Sequence, residues 1–128
     1  MTLRSPLGQV LGIGAAKDGV HHWWMQRLTS IALLPLSVWF AVSLLALPGL
    51  DHATVVAWLR QGSVALLLII FLLIAAWHSQ LGVRVVVEDY VHDAAARTLC
   101  LVASSFGHIL LAAAGVFAVL KVAFTAAP

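Results

Sequence analysis

The sequence predicts an all-α membrane protein with three transmembrane helices, and three observations predict it. Of 128 residues, 62% are apolar and only 9% are charged, a balance outside the range of soluble domains. Three runs, Leu28–Leu50, Gln61–Val83 and Thr98–Leu120, contain no Asp, Glu, Lys or Arg, and each is at least 20 residues long. At about 1.5 Å per residue, such a run gives about 30 Å of helix, the thickness of the hydrocarbon core. The runs occupy more than half the chain. The rest is too short for a soluble catalytic domain, so any chemistry belongs in the membrane or on a partner.

The elements follow in order. Residues 1–27 read as a tail and interfacial segment, and 28–127 as one three-helix domain with spans at about 28–48, 59–88 and 98–121. The opening MTLRSPLGQVLGIGAAKDG lacks a continuous apolar core and a small-residue cleavage site, so the first span is expected to insert and stay. HHWWMQR gathers amphipathic side chains where headgroups begin. Pro35 removes one backbone donor inside the first span and is expected to kink it. Pro48 to His52 forms a turn, and the segment from Ala53 to Arg60 reads as an interfacial first turn of span two. Span two keeps its apolar pattern past Arg84 as VVVEDYV, so its helix is expected to run on into the interface. Span three carries Ala103, Ser104, Gly107, Ala112 and Gly115, small residues suited to close helix packing in lipid.

Charge and cysteine usage narrow the function. Arg4, Lys17, Arg27, Arg84 and Arg97 fall on one side of the three spans, and Arg60 and Lys121 on the other. Five against two places the N-terminus in the cytoplasm. The net charge of +2 is accounted for by this bias and gives no footprint for nucleic acid. The single cysteine, Cys100, excludes an internal disulfide, a CxxCH haem attachment and an iron–sulfur cluster ligated by this chain alone; it reads as a small buried apolar residue.

The polar residues near the second span carry the chemistry. An ionised side chain inside a span costs about 2.5 kcal/mol or more, which makes His78 a functional candidate. It lies six residues inside Arg84, roughly 9 Å below the interface by helix rise. A neutral imidazole there suits axial ligation of haem iron, and it equally suits a hydrogen bond to a neighbouring helix. His108, roughly 16 Å deep by the same rise, is the competitor for a two-histidine site within one chain. On a helical wheel, Leu67, Phe71, Ile74, His78, Gly82, Val85 and Asp89 form one stripe, and Gly82 removes bulk one turn beyond the imidazole. Glu88 and Asp89 oppose the macrodipole at a helix C-terminus, with Asp93 close by and Arg84 and Arg97 near enough to neutralise part of the group. Asp89 beside Tyr90 pairs a proton-relaying acid with a phenol able to donate to a carbonyl oxygen. Arg27 is either a topogenic anchor or a bidentate partner for a carboxylate.

The run Gly19-Val20-His21 with Arg27 and Thr29, then His78, Gly82 and Glu88-Asp89-Tyr90-Val91, resembles the hydrophobic membrane anchor of succinate dehydrogenase, the small D subunit of respiratory complex II. The likeness covers nearly the whole chain. Its specific part is HxxxG with the DY pair starting eleven residues after the histidine. The resemblance implies that His78 is one of two axial ligands of a haem b shared with a cytochrome b partner. It further implies that Tyr90 and Asp89 stand at a ubiquinone site and that Arg27 and His21 lie near the haem propionates. It implies attachment of flavoprotein and iron–sulfur subunits, which hold the FAD and clusters, to the bacterial inner membrane. The pattern SxxHRxTG expected of the cytochrome b partner is missing, QRLTS at Gln26 to Ser30 being the nearest stretch. The alternatives are an independent b-type cytochrome that uses His78 with His108, and a cofactor-free structural anchor.

Overall fold

The computed structural model describes residues 15–125, with side chains from Gly19 onward. Four helices follow in order: α1 (Ala15–Leu45), α2 (His52–Leu59), α3 (Gly62–Tyr90) and α4 (Ala94–Phe124). The described residues contain no strand. Three helices are long and apolar enough to cross a membrane, with the first counted from Gly19 to Leu45. The all-α, three-span class expected from the charge-free runs is therefore the observed one. Arg4 and the tail up to residue 14 lie outside the described residues, as does the side chain of Lys17.

Two boundaries differ from the hydropathy reading, each for a local reason. First, α1 starts well before Leu28, so HHWWMQR is helical, with His22, Met25 and Gln26 partly buried on one face. Second, the segment before Arg60 is a helix of its own. Its N-terminus is capped by Asp51, whose carboxylate accepts from the Thr54 amide at 3.1 Å and from the Thr54 hydroxyl at 2.6 Å. Extended backbone at Gln61 then separates it from α3. At the other end of α3 the helix does run to Tyr90, as the pattern past Arg84 indicates. Asp93 caps α4 through the Ala96 amide at 2.8 Å, so this acid serves the backbone and not the Glu88-Asp89 group. Pro35 sits inside a helix that remains continuous from Ala15 to Leu45.

Packing is centred on α3. It contacts α1 on one flank and α4 on the other, while α1 and α4 do not meet among the described residues. Residues spaced by seven share a flank because two helical turns nearly complete a whole number of rotations. Phe71 stacks on Phe40 of α1, with ring centroids 5.5 Å apart, and His78 stands seven residues further along the same flank. In the adjacent column, Leu72 meets Gly115 of α4 so closely that an added Cβ would lie 3.2 Å from its Cδ1. The other glycine expected to aid packing, Gly107, has open space around it in this chain.

The core lies at the α2 end, where Trp58, Val64, Ala65, Leu68 and Val119 are buried against Trp39, Phe40, Leu44 and Leu72. Trp58 stacks on Trp39 at 6.5 Å and tilts against Phe40 at 6.3 Å. Arg60 donates from Nη2 to the Thr125 carbonyl at 3.1 Å, joining the α2–α3 corner to the end of α4. Away from this end, large apolar side chains such as Ile31, Leu34, Val38, Phe106 and Leu110 are exposed, as expected of helices whose solvent is lipid. Cys100 is likewise exposed, at the start of the third span, which corrects the expectation that it is buried.

Candidate functional site

His78 is half-buried in the crevice between α3 and α1. Its Nδ1 is 2.9 Å from the Thr29 hydroxyl, and its Nε2 is 3.4 Å from the Gln26 amide nitrogen. The same stripe brings Gly82 under Gln26, where an added Cβ would stand 3.9 Å from that amide. Gln26 is thus laid over the HxxxG surface. Its Oε1 is buried without a partner, and so is Nε2 of His22 one turn earlier on α1. The crevice is polar, built from two helices, and not saturated by its own hydrogen bonds.

The other residues singled out from sequence do not converge with His78. Asp89 and Tyr90 end α3 eleven and twelve residues further on, both exposed and without a hydrogen-bond partner among the described residues. Glu88, beside them, accepts from Arg84 Nε at 2.8 Å, an exposed i,i+4 pair that answers its unfavourable place in the macrodipole. Asp89 has no such answer. Arg27 points away from the crevice and lies over the Trp23 ring at 5.0 Å, while His21 is exposed. Neither Arg27 nor His21 touches His78, and the acid–phenol pair stands apart at the helix end.

His108 belongs to the opposite flank. Its Nδ1–H donates to the Ser104 carbonyl at 2.8 Å, which leaves Nε2 to accept from the Ser79 hydroxyl at 3.1 Å. Gln80 donates to Ser105 at 3.2 Å nearby, beside a cavity of about 290 Å³ between α3 and α4. Since residues 78 and 79 differ by about 100° around the helix, the two histidines face different crevices. His108 has both nitrogens engaged within the chain.

The sequence reading gave no role to Gln26, His22 or Ser79, and it noted Thr29 only as part of a pattern. A signal existed: His22, Gln26 and Ser30 follow i,i+4 spacing at the start of a span, which places three polar residues on one face. What it faces depends on how α1 docks against α3.

Three helices long and apolar enough to cross a membrane, two of which hold a polar, incompletely paired crevice between them, define an intrinsic membrane protein. Residues 1–120 match the family described as succinate dehydrogenase/fumarate reductase transmembrane subunit, and the chain belongs to that family. Among curated relatives, the succinate dehydrogenase hydrophobic membrane anchor subunit of Rickettsia bellii is 32% identical over 91% of this chain and 93% of its own length. The subunit of that name from Rickettsia conorii is 39% identical over 61% of this chain and 63% of its own. That from Paracoccus denitrificans is 25% identical over 80% of each. No solved structure gives a significant match. The resemblance drawn from HxxxG and the DY pair is therefore borne out at the level of the family.

Proposed function

We propose that this chain is the membrane-anchor subunit of a succinate:ubiquinone oxidoreductase of the bacterial inner membrane, with His78 an axial ligand of a haem b shared with a cytochrome b subunit. One observation carries the reading: a half-buried imidazole in a lipid-embedded crevice whose Nε2 meets only a rotatable carboxamide at 3.4 Å. The crevice suits such a group on the grounds of Gly82, which adds no bulk, and the unpartnered polar atoms of Gln26 and His22. A bound haem supplies a one-electron redox centre within the membrane.

The residues of this chain then divide the work. His78 would hold and orient the haem from this chain, and a second ligand would come from the cytochrome b partner. Tyr90 donates to a ubiquinone carbonyl oxygen, and Asp89 passes protons from water to the reduced quinone, which takes up two. Both side chains are exposed at the end of α3, where a partner surface completes the pocket. Arg27 and His21, six residues apart on α1, are assigned to the propionate surroundings. The basic bias places this end of the bundle in the cytoplasm, facing the flavoprotein and iron–sulfur subunits that carry FAD and the clusters. Succinate oxidation takes place on those subunits.

A second reading draws on the same contacts: His78 hydrogen-bonds α1 to α3 and holds no iron, as in a purely structural anchor. The deciding experiment is a reduced-minus-oxidised spectrum of the membrane complex purified through a tag on this chain, with His78→Ala in parallel. The expected result is a b-type signal lost or altered in the variant, with succinate dehydrogenase subunits co-purifying. A haem-free unmutated complex without those subunits overturns the proposal. An unmutated complex whose spectrum is indifferent to His78→Ala moves the ligand elsewhere.

A further inference from the structure

The contacts around His78 fix more than its position. Thr29 Oγ1 lies 2.8 Å from the Met25 carbonyl and 3.1 Å from the Gln26 carbonyl. A carbonyl only accepts, so the single hydroxyl proton is spent on the backbone of α1. With its proton so placed, the hydroxyl offers His78 Nδ1 a lone pair at 2.9 Å, and Nδ1 is then the nitrogen that bears the proton. In a neutral imidazole the other nitrogen then has the free lone pair. The Gln26 carboxamide stands opposite that nitrogen, and Thr29 alone carries the choice of tautomer.

We propose that Thr29 is a positioning residue that locks His78 as the Nδ1–H tautomer and so presents the Nε2 lone pair to a metal centre, with Gln26 as the side chain that covers this lone pair until it is used. The proposal rests on the reading of His78 as an axial ligand and names how this chain prepares it. Metal-bound histidines gain basicity and a fixed ring plane when the remote N–H is accepted by a neighbour. Thr29 provides that acceptor from a different helix, so docking α1 against α3 completes the ligand. Gln26 gives way at little cost, because a 3.4 Å contact is at the long limit of a hydrogen bond and its Oε1 has no partner to lose.

The test compares the tagged membrane complex in four forms: unmutated, Thr29→Val, Thr29→Ser and His78→Ala. The readouts are the haem midpoint potential and the ferric low-spin resonance spectrum. Loss of the acceptor weakens imidazole as a donor to ferric iron. Thr29→Val is expected to favour the ferrous form about tenfold, which for one electron is about 59 mV upward, and Thr29→Ser to restore the unmutated value. A Thr29→Val complex with unchanged potential and resonance, or a Thr29→Ser complex that behaves like Thr29→Val, overturns the lock. His78→Ala separates this from the underlying reading: if that variant keeps the spectrum, the ligand assignment itself has failed. Should Thr29→Val not assemble, imidazole nitrogen shifts of the 15N-histidine-labelled full chain in lipid without haem decide. An Nδ1–H tautomer for the resonance that vanishes in His78→Gln supports the proposal, and an Nε2–H tautomer overturns it.

Discussion

At the end of the molecule that carries α2, Trp58 is 7% exposed and packs on Trp39 and Phe40; at the other end, Tyr90 is 77% exposed and has no hydrogen-bond partner among the described residues. The first end is finished by the chain itself: α2 folds back over the helices, Arg60 reaches the last turn of α4, and the buried apolar residues gather there. The second end presents charged and polar groups, Arg84, Glu88, Asp89 and Tyr90, all exposed. The difference teaches where stability and recognition have been assigned. One end holds the three helices in register, which frees the other to offer side chains to molecules outside the chain.

Substitutions at the two ends should therefore separate. The largest stability effect is expected from Trp58→Ala, which removes the centre of the aromatic stack and should cost about 3–5 kcal/mol. Denaturant titration of the purified chain in detergent checks it, and a cost below about 1 kcal/mol would show that the closed end does not anchor the fold. At the open end, Tyr90→Phe should leave that titration curve unmoved while lowering quinone reductase turnover of the assembled complex roughly tenfold, the worth of about one hydrogen bond. Unchanged turnover would remove Tyr90 from the proposed quinone site.

His108→Ala tests the flank between the ends. Loss of its link to Ser79 should cost about 0.6 kcal/mol, the average for hydrogen bonds between membrane helices, and leave the haem spectrum intact. Disappearance of haem in this variant would favour the independent cytochrome.

The smallest effect is expected from pH at the closed end. The Thr54 hydroxyl and amide hold the exposed Asp51 carboxyl below its ordinary value of 3.8. A carboxyl depressed on folding contributes stability above its unfolded pKa, and that contribution is lost as pH falls through the folded value. The α2 cap should accordingly be intact from neutral pH down to about 4 and loosen below it. Asp51→Asn should flatten this dependence, as read by fluorescence of a chain retaining Trp58 as its only tryptophan. An acid response equal in both chains would assign it to another group.

Much of this arrangement was legible before any coordinates, for reasons that lie in particular residues. The spans follow from three charge-free runs because burying an ion in lipid is costly. The continuation of α3 to Tyr90 follows from an apolar pattern that ignores Arg84, and the Arg84–Glu88 pair is an i,i+4 spacing visible in the string. The acid–phenol pair and His78 stand out as candidates because each is unusual where it stands. Asp51 and Asp93 were harder, since a capping aspartate looks like any other acid until the neighbouring backbone amides are placed. The partners of His78 were hardest. Gln26 and Thr29 lie 52 and 49 residues away from it in sequence, and only the docking of α1 against α3 brings them together.

The central helix has a consequence for how this chain tolerates change. His78 and Ser79 are neighbours in sequence, yet one is addressed to α1 and the other to α4. Leu66 and Ile70 on the outward arc are exposed and can exchange for other apolar residues with little effect. A single-residue deletion between Gly62 and His78 is a different matter: it turns everything beyond it by about 100° and delivers each residue to its neighbour's address. The helix behaves as a key with two cut edges, indifferent to wear on its back and intolerant of any change in rotational phase.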